Sequence, residues 1–313
     1  MNKNSQGAGI ARVAASDVLR DLDLTGEELH YLLGLAAEVK IAPHAFGNAL
    51  QGKSIALLFE KPSLRTKLTF ELAIAQLGGS SVFCDGPIGV REPLKDVARN
   101  LDRWVNGIVA RVFSQRTVED LARWSSAPVI NALSDAYHPC QALADVLTVR
   151  ERFGGFGGLR IAFVGDGNNV AHSLMLTSLR LGMDFALACP PGYLPNPDIM
   201  TQAEGLAAVS GASLLVTHDL SAALEGAHAI YTDVWTSMGQ EQEALERRRA
   251  FRDYQVNHDL MALARSDAIF MHCLPARRGE EVSDAVMESS QSAVFDQAEN
   301  RLHAQKALLL MML

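Results

Sequence analysis

The segment 58–72, LFEKPSLRTKLTFEL, carries two hydroxyl groups and a guanidinium within four residues. Ser63, Arg65 and Thr66 stand where an apolar run gives way to a run that predicts a helix. The N-terminus of a helix offers unpaired N–H groups and a partial positive charge, and Arg65 adds a planar fork of donors that fits phosphate oxygens. The segment therefore predicts an anion site, although a plain helix cap at Ser63 with a solvated Arg65 would fit the same pattern.

Four further polar clusters each follow a predicted strand. They are HPCQ (138–141), DGNN (166–169), DVWTSMG (233–239) and HCLPARRGEE (272–281). Taken singly, their residues have ordinary structural explanations: Cys273 as a small core residue, Asp233 as a helix cap and His272 as a hydrogen-bonded buried imidazole. Ligands of doubly wound sheets bind at the carboxyl ends of strands, so the shared position of these clusters favours a function.

Strands and helices alternate along both halves of the chain. This alternation predicts an α/β fold of two doubly wound domains, each with a mainly parallel sheet. The predicted strands are 54–59, 81–84, 107–113, 129–133, 159–164, 185–189, 213–217, 229–234 and 268–271. The predicted helices are one that starts at the capping box 25–28, then 65–77, 94–105, 118–124, 138–153, 170–181, 197–209, 221–225, 240–250 and 297–312.

The run 154–158, GGFGG, is the best candidate for a domain boundary. Four glycines in five residues would cost much conformational entropy inside a helix or strand. At the start of the chain, residues 1–16 are mostly small and polar, which predicts a loose arm.

Composition narrows the class of protein. The chain has 313 residues, 48% of them hydrophobic and 20% charged, which is typical of a well-packed globule rather than a disordered chain. A net charge of −8 argues against a general nucleic-acid binder. The four cysteines are scattered without C-x-x-C spacing, and the apolar tail 307–313 is far too short to cross a bilayer. We therefore expect a cytoplasmic protein with reduced thiols and no membrane or nucleic-acid partner.

The sequence around 164–170, VGDGNNV, partly matches a dinucleotide-binding fingerprint. Val170 replaces the third glycine of that fingerprint, and Cys189-Pro190-Pro191 stand where the acidic residue that binds ribose would close the next strand. These two departures from the fingerprint argue against NAD as a cofactor. Asn169 could instead present its amide to a small ligand.

Taken together, the motifs resemble those of the ornithine carbamoyltransferases. FEKPSLRT (59–66), the four clusters above and ENRLHAQKA (299–307) follow the order and spacing of that family over nearly the whole chain. The first two motifs are common to carbamoyltransferases, whereas SMG and HCLP mark the ornithine branch. The resemblance implies an enzyme of arginine biosynthesis that converts carbamoyl phosphate and L-ornithine to L-citrulline and phosphate, with no cofactor and no metal.

The resemblance also implies roles for individual residues. Carbamoyl phosphate would be bound by Ser63, Leu64, Arg65, Thr66, Arg111, His138, Gln141, Cys273, Leu274 and Arg301. Ornithine would be bound by Asn169, Asp233, Ser237 and Met238. The residues nearest the chemistry would be Arg111, His138, Asp233 and Cys273. The neutral δ-amine would attack the carbamoyl carbon directly, without a nucleophilic residue.

At the level of domains, the resemblance implies that residues 1–150 bind carbamoyl phosphate and residues 151–296 bind ornithine. The C-terminal helix, about 297–313, would return to the first domain. The family also implies a homotrimer in which the loop 85–93 lies near a neighbouring active site. It further implies a cis peptide at Leu274–Pro275. The loop 236–240 lies between a predicted strand and a charged helix with Gly239 as a hinge, so we expect it to close over the amino acid.

The sequence departs from the family pattern in three positions. Leu64 replaces a threonine, Lys67 replaces an arginine, and Pro87 stands in a shortened loop where a glutamine is frequent. These changes put part of the phosphate affinity and the contribution of the loop in question. The alternatives that remain are a carbamoyltransferase for a related amine or an acylated ornithine, a non-catalytic paralogue and an NAD-linked oxidoreductase. Acylation would remove the α-ammonium group that the pair Asp233 and Ser237 is expected to bind.

Overall fold

The computed structural model describes residues 10–237 and 239–313. Most of the predicted N-terminal arm and the predicted ligand Met238 therefore lie outside the described residues. In the first half, four strands form a parallel sheet: β1 (Ser54–Phe59), β2 (Ser80–Asp85), β3 (Gly107–Arg111) and β4 (Val129–Leu133). Their order in the sheet is β2-β1-β3-β4, so the direction in which strands are added reverses between β1 and β3.

Five helices accompany these strands. They are α1 (Gly26–Ile41), α2 (Leu64–Gln76), α3 (Leu94–Trp104), α4 (Gln115–Trp124) and α5 (Pro139–Phe153). Local sequence explains where they begin and end: Thr25 and Glu28 form the capping box of α1, and Ser63 caps α2. Pro139 occupies the first turn of α5, and Gly154 ends it in the left-handed conformation that glycine favours.

The second half repeats this plan with a five-stranded parallel sheet. Its strands are β5 (Arg160–Val164), β6 (Asp184–Ala188), β7 (Leu214–Thr217), β8 (Ala229–Thr232) and β9 (Ile269–His272). Its helices are α6 (Asn169–Arg180), α7 (Pro197–Ser210), α8 (Leu220–Leu224), α9 (Ala244–Ala250), α10 (His258–Leu263) and α11 (Asp284–Met287). The strand order is β7-β6-β5-β8-β9, which places a second reversal between β5 and β8. Two doubly wound parallel-sheet units are therefore confirmed.

The last helix, α12 (Val294–Met312), packs against α5, α1 and α2 of the first half. It begins three residues before the predicted start, and most of its side chains are buried. Lys53 donates a hydrogen bond to the backbone of Leu313, which fixes the end of the chain beside the first sheet. The prediction that the C-terminal helix returns to the first domain is confirmed.

Several element boundaries differ from the sequence predictions. The helices α10 and α11 were not predicted, because six and four residues are too few for a helical periodicity to show. The strand β8 ends at Thr232 rather than Val234, since the Asp233 carboxylate accepts the Val234 N–H and takes it out of the strand ladder. Among the described helices, none is long and apolar enough to cross a membrane.

Candidate active site

The two sheets open onto one cleft of about 930 Å³. The cleft is lined by the ends of strands at both reversals of strand order, together with α2, α6 and α12. Because ligands of doubly wound sheets bind at these ends, the cleft is the position expected for an active site. Every polar cluster singled out in the sequence contributes residues to its wall.

The first turn of α2 forms one end of the cleft. The Ser63 hydroxyl accepts the Thr66 N–H at 3.2 Å, so Ser63 is a helix cap as well as a candidate ligand. Thr66 is fully buried, and its hydroxyl oxygen accepts a hydrogen bond of 2.6 Å from Arg301. Both hydroxyls keep a hydrogen that can be donated to an anion. The Leu64 side chain is exposed and apolar, so the backbone N–H is the available donor at this position.

Three guanidinium groups face this end of the cleft. Arg111 lies at the end of β3 and Arg301 on α12, and both are buried; Arg65 is partly buried. Burial and the charge of Arg301 lower the pKa of Arg111 to about 10. Within the described part of the chain, none of the three forms a salt bridge with a carboxylate. Three uncompensated positive charges at a helix N-terminus constitute a binding site for a multiply charged anion.

His138 precedes α5 and is buried beside these arginines. Burial and the positive charges of Arg301 and Arg111 hold the pKa of His138 well below its usual range, so the imidazole is neutral. The His138 backbone N–H donates to the Ser173 hydroxyl at 2.8 Å, which ties the start of α5 to α6. A neutral imidazole in this position can donate a hydrogen bond to a carbonyl oxygen without giving up a full proton.

Gln141 reaches the cleft from the first turn of α5. Its side-chain nitrogen donates to Asp145 Oδ1 at 2.7 Å. Its side-chain oxygen is buried and accepts no hydrogen bond from the described residues. Gln141 therefore has an unpaired acceptor in a side chain that lines the cleft.

Asp233 and Cys273 form the opposite wall, at the ends of β8 and β9. The Cys273 thiol donates to Asp233 Oδ1 at 3.0 Å, and Asn168 donates to Asp233 Oδ2 at 2.9 Å. Burial and the neighbouring Asp233 carboxylate hold the pKa of Cys273 well above its usual range. Cys273 is therefore a thiol that donates a hydrogen bond, and not a thiolate nucleophile.

Asn169 and Ser237 lie on the same side of the cleft as Asp233. One hydrogen of the Asn169 amide is already used, because the side-chain nitrogen donates to the Ser134 carbonyl at 2.7 Å. The second amide hydrogen is left for a ligand. Among the described residues, the backbone of Ser237 bonds only to Gln240 in its own loop, and the predicted ligand Met238 lies outside these residues.

The Leu274–Pro275 peptide is cis, as the resemblance implied. Both residues line the cleft, and the Leu274 N–H donates to His272 Nδ1 at 2.8 Å. The other ring nitrogen of His272 lies 3.2 Å from Glu281, which is also buried. His272 is therefore held on both sides and acts as a support for the loop that carries Cys273.

Asp233, His272 and Cys273 have potential metal-ligand atoms within 4.8 Å of one another. Both ring nitrogens of His272 already have partners, so this residue could bind a metal only by breaking the hydrogen bonds of its own loop. The glycine turn of the partial dinucleotide fingerprint is in close contact with another part of the chain. A Cβ on Gly167 would lie 2.3 Å from the backbone nitrogen of Pro195. The backbone of Leu194 and Pro195 therefore packs directly against this glycine.

Lys61 and Arg247 are charged residues of the cleft wall that the sequence interpretation missed. Lys61 follows β1, and burial together with the charge of Arg111 lowers its pKa. Arg247 on α9 is buried and donates to Asp166 at 2.7 Å and to the Trp235 carbonyl at 3.1 Å. Lys61 lies inside a quoted motif and could have been noticed, whereas nothing in the arginine-rich helix distinguishes Arg247 from its neighbours.

Comparisons with known proteins agree with this geometry. Residues 16–151 match the family model of the carbamoyl-P binding domain of aspartate/ornithine carbamoyltransferases, and residues 157–312 match that of the Asp/Orn binding domain. The chain is 51% identical to an ornithine carbamoyltransferase of Thermococcus kodakarensis, over 96% of this chain and 97% of that protein. It is 49% identical to the anabolic ornithine carbamoyltransferase of Pyrococcus furiosus, over 96% and 97% respectively. A solved ornithine carbamoyltransferase structure from Pyrococcus furiosus superposes with a TM-score of 0.92 at 48% identity, covering 97% of this chain and 98% of that one.

Proposed function

The chain belongs to the aspartate/ornithine carbamoyltransferase family, and we propose that it transfers the carbamoyl group of carbamoyl phosphate to the δ-amine of L-ornithine. It is a transferase, and the products are L-citrulline and phosphate. The observation that carries the assignment is a single cleft with an uncompensated cationic site at one end and the Asp233–Cys273 pair at the other. An anionic acyl donor and a cationic amino acid can bind there side by side. The anabolic relative supports a role in arginine biosynthesis.

The phosphate group is assigned to the first turn of α2. Ser63 and the Leu64 N–H donate to its oxygens, and the Arg65 guanidinium binds two of them at once. Arg111 lies between this turn and His138 and is assigned to both the phosphate and the carbamoyl oxygen. The dianion compensates the mutual repulsion of the guanidiniums, which supports this placement.

The carbamoyl group is assigned to the inner part of the cleft. Thr66, Arg111 and neutral His138 donate to its carbonyl oxygen and stabilise the negative charge that develops there in the transition state. Gln141, the Leu274 carbonyl and Arg301 orient the carbamoyl group. Cys273 contributes as a protonated thiol beside the reacting nitrogen.

The amino acid is assigned to the opposite wall. Asp233 and Ser237 bind its α-ammonium, and Asn169 binds its α-carboxylate, with Met238 as the further predicted ligand. This places the δ-amine against the carbamoyl carbon. The amine forms the new C–N bond, the C–O bond to phosphate breaks, and the amine proton leaves with the phosphate. Holding both substrates in register supplies up to roughly 7–11 kcal/mol of the barrier reduction.

We divide these tasks between two domains. Residues 1–150 with the helix at 297–313 bind carbamoyl phosphate, and residues 151–296 bind ornithine. The limits of the two family matches support this division.

The free cysteines favour a reducing compartment, so we place the protein in the cytoplasm.

We also propose a homotrimer in which the loop 85–93 lies near a neighbouring active site. Leu64, Leu68 and Leu72 form an exposed apolar stripe along α2, since residues four apart share one face of a helix. Val82 on the adjacent edge strand β2 is exposed as well. An apolar helix face beside an open sheet edge is typical of a surface that another subunit covers.

A citrulline assay with the purified protein tests the proposed function. Carbamoyl phosphate is supplied with L-ornithine, N-acetyl-L-ornithine, L-lysine or putrescine, with and without excess chelator. We expect rapid carbamoylation of L-ornithine alone, at the same rate in chelator. A preference for the acetylated amine, or no carbamoylation of L-ornithine, would refute the proposal. Light scattering on the same sample measures the mass of the assembly and tests the trimer.

A further inference from the structure

We propose that Asp145 is a positioning residue that fixes the orientation of the Gln141 amide and thereby makes the site selective for a carbamoyl group over an acetyl group. The inference rests on the proposed function, because it assigns Gln141 to the carbamoyl group. It goes further by naming the residue that determines which end of that amide the ligand meets.

Asp145 lies one turn below Gln141 on α5 and is completely buried. Its Oδ1 atom accepts hydrogen bonds from the side-chain nitrogens of Gln141, at 2.7 Å, and of Gln297 on α12, at 2.6 Å. An ionised carboxylate can only accept hydrogen bonds. Both glutamines must therefore turn their NH₂ groups towards Asp145.

The consequence for Gln141, whose side chain lines the cleft, is that its oxygen points away from Asp145. That oxygen is buried and has no hydrogen-bond donor among the described residues, so its desolvation is uncompensated until a ligand donates to it. The NH₂ group of a carbamoyl ligand is such a donor. A methyl group of nearly the same shape is not, so an acetyl ligand leaves the acceptor unpaired.

The orientation of the Gln297 amide is also fixed by the partners of its oxygen and nitrogen. Its oxygen accepts the His272 N–H at 2.9 Å, and its nitrogen also donates to the Tyr231 hydroxyl at 3.1 Å. His272 immediately precedes Cys273 and Leu274. One carboxylate on α5 therefore sets the orientation of two amides, one on α5 and one on α12.

Asp145 must be ionised for this effect. Burial raises the pKa of Asp145 to about 7, against the lowering effect of its two glutamine partners and of Arg301. The test is therefore made at pH 8. It uses two stable phosphonates, phosphonoacetamide and acetonylphosphonate, which differ in a single NH₂ or CH₃ group, and inorganic phosphate as a probe of the anion site alone.

Dissociation constants are measured by calorimetry for the wild type and for Asp145→Asn. We expect the wild type to prefer the amide by roughly tenfold to a hundredfold. Asparagine can offer either an oxygen or an NH₂ group to Gln141, so the preference should fall to about threefold or less, with the affinity for inorganic phosphate unchanged. A full wild-type preference in Asp145→Asn would overturn the proposal.

A double-mutant cycle separates positioning from a general structural role. Gln141→Met should abolish the preference, and adding Asp145→Asn to it should change the preference no further. An additional loss in the double variant would contradict action through Gln141. The matched control is Thr148→Val, which removes a buried hydrogen bond of 3.0 Å between Asn300 and the same helix away from the cleft. It should keep the wild-type preference.

A measurement on the wild type covers the case in which Asp145→Asn does not fold. Between pH 8 and pH 5.5 Asp145 takes up a proton and can donate to Gln141, so the preference for the amide should shrink. The groups that face Asp145 do not change charge in this range: Arg301 stays protonated, and burial raises the pKa of Tyr231 and of Cys273. A preference that is constant with pH would count against the proposal.

The proposed function and this inference fail separately. Neither phosphonate measurement involves ornithine. A wild type that prefers the amide but makes no citrulline would refute only the proposed activity. A wild type that makes citrulline but binds both phosphonates equally would refute only the role of Asp145.

Discussion

The two ends of the cleft are built in different ways. At the anion end, Thr66, His138 and Arg301 are buried and are held by a helix cap, a strand end and a returning C-terminal helix. At the amino-acid end, among the described residues of the loop 236–240, the Ser237 N–H bonds to Gln240 and the Gly239 N–H to Glu241, and the buried Thr236 hydroxyl has no described partner. The anion end is preorganised, whereas the described part of the loop 236–240 bonds only to nearby residues of the chain.

This difference matches the two ligands. Charged groups that are fixed before binding cost no reorganisation when the dianion arrives, and they act in a site that largely excludes water. The second substrate must still enter the cleft, so the element that covers it has to open. We expect the loop 236–240 to close over the amino acid and complete the site. The predictions below test the contrast between the two ends.

Arg65→Ala should have the largest effect because it removes a bidentate, charge-assisted contact to a dianion. At about 1.5–3 kcal/mol for each such hydrogen bond, we expect a roughly 1,000-fold rise in the dissociation constant for carbamoyl phosphate. Calorimetry measures this dissociation constant in the variant and in the wild type. Arg99→Ala removes an exposed guanidinium that lies against Trp124, outside the cleft, and should have no effect. Normal binding by Arg65→Ala would place the anion site elsewhere.

The pH profile should be governed by the substrate amine and not by the buried histidine. The δ-amine of ornithine resembles that of lysine, with a free pKa near 10.4, so the neutral fraction rises tenfold per pH unit. Burial and the charges of Arg301 and Arg111 lower the pKa of His138 well below its usual range, so the imidazole is not the group that should set this profile. We expect kcat/KM for ornithine to rise roughly 300-fold from pH 6 to 8.5, with a slope near one. A plateau beginning near pH 6.5 would instead indicate an ionising histidine.

Asp233→Asn should weaken the amino-acid end alone. Loss of the charge that binds the α-ammonium should lower kcat/KM for ornithine about 100-fold and leave carbamoyl phosphate binding intact. The rising pH limb should persist, because Asp233 is not the base. Asp219→Asn, a helix cap at the end of β7, is the matched control. If the variant lost the pH dependence, Asp233 would be the general base.

Ser237→Ala should have the smallest effect. It removes one hydroxyl from a loop with few other contacts, so we expect KM for ornithine to rise about tenfold with little change in kcat. Steady-state kinetics measure both, and Ser210→Ala at the end of α7 is a control outside the cleft. A loss in carbamoyl phosphate affinity of the same size would show that the two ends are not independent.

Much of the fold could be predicted because its signals are local. Strands β1 and β4 have the predicted bounds, since each is a short apolar run that a parallel sheet buries on both faces. The cap at Ser63 and the end of α5 at Gly154 follow from residue type alone. The short helix α11 and the Arg247–Asp166 ion pair could not be predicted, because four residues show no period and the partners are far apart in the chain.

The sequence by itself determined which chemical groups gather at the strand ends and, through the order and spacing of the motifs, the family. The tertiary structure decided the protonation and the orientation of those groups. Burial and Arg301 keep His138 neutral, burial and Asp233 keep Cys273 a thiol, and Asp145 turns the Gln141 oxygen away from itself. Protonation and amide orientation depend on burial and on the nearest charges. Two of those three neighbours come from distant parts of the chain, so only the folded protein brings them together.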